Sequence, residues 1–129
     1  MTTDFRPETT TGLRPEQATL HEGTVAERWA RAQLFFDSKA YADAARILAE
    51  LVEEVPEQVG PRLLLARSYY HSAQLRRAEE QLRAVIERDP VEHYAHLVLG
   101  RVLERQGRHA EAVPYLRLAA AFDGAFPES

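Results

Sequence analysis

The 129-residue chain has no cysteine. Disulfide frameworks, thiolate metal sites and cysteine nucleophiles are therefore excluded. It also has no surplus of positive charge: 16 Lys and Arg face 20 Asp and Glu, for a net charge of −4. Without that surplus there is little to neutralise phosphates, and nucleic acid is not an expected partner. No window approaches 18 consecutive apolar residues, and the opening stretch MTTDFRPETTTGLRPEQ has neither a basic start nor an apolar run. Neither a membrane span nor a secretory leader is expected, and the chain reads as cytoplasmic. Lysine is nearly missing too, with Lys39 alone among many arginines, which suits the codon usage of a GC-rich bacterial genome. A Gly-rich phosphate loop, a nucleophile elbow and a metal-binding helix motif are also lacking, so no enzymatic activity and no cofactor are expected.

What is present is a globular balance, 45% apolar and 28% charged, at a one-domain length. Residues 1–24 are rich in threonine, proline and charge, and Phe5, Leu13 and Leu20 fall at no regular spacing. Such a stretch buries too little to offset its ordering entropy and is expected to be a disordered tail. A short helical turn after Pro15 is the one local signal within it. From Val25 onward Ala, Leu, Arg and Glu dominate and strand-like alternation is absent, which predicts an all-α fold. Breakers at Lys39-Ala40-Tyr41, Val55-Pro56, Ala73-Gln74, Asp89-Pro90, Gln106-Gly107-Arg108 and Asp123-Gly124 divide this stretch into six helices of about 11 to 15 residues. Short connections make sequential helices antiparallel neighbours.

Shifting the sequence by 34 residues aligns it with itself. Small residues coincide at Ala32, Ala66 and Gly100, and bulky ones at Phe35, Tyr69 and Leu103. In the second helix of each unit Ala44, Ala78 and Ala112 coincide, then Leu48, Leu82 and Leu116, then Leu51, Val85 and Ala119. The units close on Pro56, Pro90 and Gly124. A small residue lets two helices approach, and the bulky residue three positions on fills the space beside the contact. The period predicts three helix-turn-helix units, 25–58, 59–92 and 93–126, with 127–129 as a short tail.

This pattern resembles the tetratricopeptide repeat. The third unit carries it best, at Leu99-Gly100, Gln106-Gly107, Ala112, Leu116 and Ala119; the second matches at Leu65-Ala66, Tyr69, Ala78, Leu82 and Asp89-Pro90, and the first at Ala32, Phe35, Tyr41, Ala44 and Pro56. Arg28, Arg62 and His96 stand where the family often has Trp, and Lys39 and Ala73 replace the turn glycine kept at Gly107. The resemblance implies an α-solenoid whose first helices line a concave groove. The groove positions would be Trp29, Gln33, Phe36, Asp37, Leu63, Arg67, Tyr70 and His71, followed by Tyr94, Leu97, Arg101, Glu104 and Arg105.

Helical spacing supports a second face independently. Trp29, Gln33 and Phe36 share a stripe distinct from the one through Ala32 and Phe35, and Leu63, Arg67 and Tyr70 repeat it. Two readings remain open: ordinary core, covered by neighbouring helices or the tail, or a groove of apolar anchors flanked by arginines. The groove would suit a protein or peptide segment carrying bulky apolar residues and carboxylates. The family clamp for EEVD-type chaperone tails needs lysine, asparagine and arginine where this chain has Trp29, Gln33, Leu64, Tyr94 and Val98, so such tails are not expected to bind.

The C-terminal edge raises an alternative. Val113, Ala120 and Phe122 would have no following helix to cover them, with Phe126 nearby, so the chain could self-assemble as a structural homo-oligomer through this edge. His93, His96 and His109 hint at a metal site, but they fall on packing or turn positions, and no metal is expected. Glu79 and Glu80 with Arg76, Arg77 and Arg83 read as a solvated, salt-bridged face. Pro114, about one turn into its helix, predicts a late helix start or a local bend.

Overall fold

A computed structural model describes residues 20–123. Helix α1 spans Val25–Asp37, α2 Tyr41–Glu54, α3 Val59–His71, α4 Leu75–Arg88, α5 His93–Arg105 and α6 His109–Asp123. They pack as three hairpins, α1 with α2, α3 with α4 and α5 with α6, and the hairpins stack through α2 on α3 and α4 on α5. No strand occurs among the described residues. The outcome is the all-α, three-unit solenoid that the 34-residue period predicts.

All three hairpins use one turn. The Lys39 N–H donates to Phe36 O and the Ala40 N–H to Phe35 O; Ala73 and Gln74 repeat this with Tyr70 and Tyr69, and Gly107 and Arg108 with Glu104 and Leu103. This paired return places a left-handed residue at the pivot. The φ angles there are 66° at Lys39, 62° at Ala73 and 77° at Gly107. Loss of the glycine in the first two units therefore alters the cost and leaves the geometry intact; a Cβ in this conformation costs roughly 1–2 kcal/mol.

The small and large positions found by the repeat meet in the core. Ala32, Ala66, Leu48 and Leu82 are fully buried, and a Cβ on Gly100 would collide with the Leu116 side chain. The third hairpin thus closes more tightly than an alanine would allow. Where the resemblance leads one to expect Trp, the first two units join their helices through polar groups and the third through a histidine ring. Arg28, only 8% exposed, grips Glu54 with two hydrogen bonds of 2.8 Å, and Arg62 donates to Gln81 at 3.0 Å. His96 sets its Nδ1 3.0 Å from Glu92 O and its ring 6.1 Å from Tyr115.

Two expectations change. The packed structure extends N-terminal to residue 25: Leu20 is 3% exposed within the first hairpin's core, Arg31 donates to the carbonyls of Leu20 and Glu22, and His21 Nδ1 lies 2.9 Å from Glu50. A lone leucine without periodic neighbours leaves no pattern to read. Thr24 then caps α1 in a reciprocal box with Glu27. The second concerns Pro114: helix α6 begins at His109, so of the two expected outcomes, a late start or a local bend, the late start does not occur. The preceding turn fixes the start, and Arg108 holds it by pairing with Glu111 through two hydrogen bonds of 3.0 and 2.8 Å. Pro114 lies on the exposed side, where a lost helical hydrogen bond costs least. Phe5, Leu13, the turn after Pro15, Phe126 and residues 127–129 lie outside the described residues.

Candidate partner-binding groove

Helices α1, α3 and α5 lie side by side, and two connected hollows run between them. The first, about 280 Å³, is lined by Trp29, Gln33, Phe36 and Asp37 from α1 and by Gly60, Leu63, Leu64 and Arg67 from α3. The second, about 180 Å³, is lined by Arg67, Tyr70 and His71 from α3 and by Tyr94, Leu97, Val98 and Arg101 from α5. Arg67 lines both, so the two hollows adjoin at its side chain and together make up the groove. Eleven of the thirteen groove positions expected from the sequence line a hollow; Glu104 instead pairs with Arg101, and Arg105 borders the second hollow by standing over Tyr70. Trp29, Phe36, Leu63, Tyr70, Tyr94 and Leu97 are half-buried, which leaves apolar area open to an incoming chain.

The arginines are held in place by rings. Arg67 Cζ sits 4.6 Å from the Phe36 centroid and 5.3 Å from that of Tyr94, so its guanidinium lies between rings from α1 and α5. Arg105 Cζ is 5.0 Å from the Tyr70 ring, and its Nη1 donates to Tyr70 O at 3.4 Å. Cation–π contacts of this kind contribute about 0.5–1 kcal/mol at exposed sites and fix direction as well. Arg101 pairs with Glu104 at 3.2 Å, whereas Arg67 has no carboxylate partner among the described residues.

His71 stacks on Tyr41 at 4.6 Å and meets the edges of Phe36 and Tyr70 at 5.7 and 5.4 Å. Packing against these rings, and then the charges of Arg67 and Arg105, hold its pKa below the usual histidine range. Its ring is accordingly neutral at pH 7. Tyr41 belongs to α2 and escaped the groove assignment because its position in the repeat marks it as a packing residue. Gly60 and Leu64 were likewise not among the groove positions. Gly60 leaves room for Trp29, whose ring would come 3.7 Å from a Cβ there.

The C-terminal edge is uncovered in part. Val113 is 41% exposed, although Ala45, its equivalent two units earlier, is 6% exposed beneath the next hairpin. Ala120 is exposed while its equivalent Val52 is buried, and Leu118, which sequence reading passes over, is 42% exposed. Phe122 departs from the expectation: it falls on the side of α6 that faces α5 and packs against His93 and His96 at 5.7 and 6.1 Å. Those two histidines are therefore engaged with Phe122, while His109 opens α6 on its exposed side.

Glu79 also departs from its expected place on a solvated face. Its side chain is 13% exposed, and it receives Arg108 at 2.7 Å, Gln106 at 3.1 Å and Arg83 at 2.9 Å. Burial alone would raise its carboxyl pKa, but these hydrogen bonds outweigh it and hold the value at about 2. Glu79 thereby ties α4 to the turn between α5 and α6. The i,i+4 spacing to Arg83 was visible in the sequence, but the Gln106 and Arg108 donors arrive across the repeat junction and were not.

Comparison with known proteins agrees with this architecture. A family model for the tetratricopeptide repeat matches residues 63–128, just over half of the chain. No curated protein sequence matches. Among solved structures, a MamA variant is similar with TM-score 0.72 at 21% identity, over 75% of this chain and 71% of that one. MamA AMB-1 gives TM-score 0.75 at 20% identity, over 79% and 60%. MamA 41-end from Desulfovibrio magneticus RS-1 gives 0.70 at 20%, over 80% and 56%. At these identities the likeness is one of fold, and the chain spans less than two thirds of the latter two. With three stacked helix hairpins, a 34-residue period and a matching family model, the chain belongs to the tetratricopeptide repeat family.

Proposed function

We propose that the chain is a non-catalytic adaptor or assembly factor that docks a segment of a protein partner in the α1–α3–α5 groove. Tetratricopeptide repeats typically serve protein interaction rather than catalysis, and a protein-interaction or scaffold role follows from the family. The finer reading rests on one observation: Arg67, clamped between Phe36 and Tyr94, lies where the two ring-lined hollows meet. A segment with a bulky apolar residue beside a carboxylate matches that layout, since the ring-lined hollow supplies area and the fixed guanidinium supplies a charge-assisted hydrogen bond. The lysine and asparagine of the chaperone-tail clamp are absent from the groove, so an EEVD peptide should not bind at micromolar concentration. No helix of the described residues is long and apolar enough to cross a membrane. A cytoplasmic place in a bacterial cell, with the three repeats over 25–126 and the segment from Leu20 packed against the first of them, completes the proposal.

Trp29→Ala combined with Tyr70→Ala should abolish capture of the partner from native-host lysate while leaving the helical signal and oligomeric state unchanged. Capture that survives both substitutions would move the interface elsewhere. A second reading, self-association through α6, is favoured by the exposure of Val113 and Leu118. Val113→Glu would then convert a dimer to a monomer in sedimentation, and a wild-type monomer at high concentration would dispose of that reading.

A further inference from the structure

The two junctions between repeats carry corresponding hollows on the side formed by α2 and α4, away from the groove, and the sequence fills them differently. Between the second and third units the lining is Arg76, Glu79, Glu80, Arg83, Gln106 and Arg108. Moving back 34 residues gives Ala42, Ala45, Arg46, Ala49, Ser72 and Gln74, and all of these except Ser72 line a hollow of about 370 Å³ between the first and second units. Tyr69 and Arg77 complete it.

At the second junction Glu79 lines the hollow and its carboxylate is held by three donors. At the first, Ala45 stands in its place, so no carboxylate lines the hollow, and Ala42 and Ala49 are too small to fill it. A basic rim remains. Arg77 Cζ lies 5.9 Å from the Tyr69 ring and its Nη1 donates to Gln74 Oε1 at 3.0 Å, while Arg46 forms the facing wall with an exposed pair to Asp43.

We propose that this hollow accepts a glutamate side chain from an acidic segment of a protein partner, which supplies in trans the carboxylate that Glu79 supplies in cis at the next junction. Charge complementarity selects the occupant: Arg46, Arg77 and the Gln74 amide offer hydrogen bonds to a carboxylate, and the alanines and the Tyr69 ring receive its methylene groups. The surface is formed by α2, Tyr69 of α3, the α3–α4 turn and the start of α4, and none of its lining residues lines the groove, so the two can be occupied independently.

The test uses the full chain and an acetylated, amidated tetraglutamate peptide as probe. Side-chain resonances of Arg77 and Tyr69 are followed by NMR at low ionic strength. Saturable shifts of both are expected, with affinity at least tenfold weaker in the Arg46→Gln, Arg77→Gln double variant. They should vanish in the Ala45→Glu, Gln74→Arg double variant, which installs the carboxylate and its donor in cis and should melt above Gln74→Arg alone. Shifts confined to Arg67 and Arg101 in the groove would overturn the proposal, as would a peptide response that neither double variant alters. Should the cis variant fail to fold, the glutamine pair decides alone.

Discussion

Removing the Glu79 carboxylate by Glu79→Gln should weaken the junction between the second and third units. In the folded chain this carboxyl is held at about 2, against an ordinary value of 4.5. At about 1.4 kcal/mol per tenfold change in acidity, the difference corresponds to roughly 3 kcal/mol favouring the charged form. The side chain is 13% exposed at the rim, and solvent screening there leaves about 1–3 kcal/mol as the expected loss at pH 7. For a domain of this size that lowers the melting midpoint by roughly 5–15 °C. The sign follows from a depressed folded pKa: the stabilisation is complete above the unfolded value near 4.5 and is lost as pH falls toward 2. Denaturant titrations of both proteins from pH 7 down to pH 3.5 should therefore show a gap in stability that is constant above pH 5 and narrows below it. An equal gap at every pH, or none at pH 7, would refute the reasoning.

Other outcomes follow from the same geometry. Ala73→Gly, at a left-handed turn residue, should raise stability by about 0.5–1 kcal/mol, read as a higher denaturation midpoint. Ala78→Leu, at a fully buried contact between α3 and α4, should cost about 1–3 kcal/mol through overpacking. Zinc added to the chain should leave the melting curve unchanged, because no group of three or more possible ligand side chains comes together among the described residues, and His93 and His96 pack against Phe122.

The repeat and its turns were legible because they depend on residue size at a fixed period: Ala32, Ala66 and Gly100 mark where helices touch whatever surrounds them. The groove was legible for the same reason, as a stripe offset from the packing stripe. What escaped depended on contacts with no period. Leu20 is buried by residues far from it in sequence, and Tyr41, which lines neither hollow, bears on the groove only through its stack with His71. Glu79 resembles any surface glutamate until the next repeat brings Gln106 and Arg108 to it. Pro114 shows that a local rule can yield to context, since the turn before it and the Arg108–Glu111 pair fix the helix start.

The most direct test of groove binding is a titration of the captured partner's segment into wild-type protein and Arg67→Ala, read by the emission of Trp29, the single tryptophan of the chain. A saturable Trp29 response is expected in the wild type, weakened at least tenfold in Arg67→Ala with little change in melting midpoint, and diminished as salt is raised. A segment that binds both proteins equally, or binds without disturbing Trp29, would contradict it.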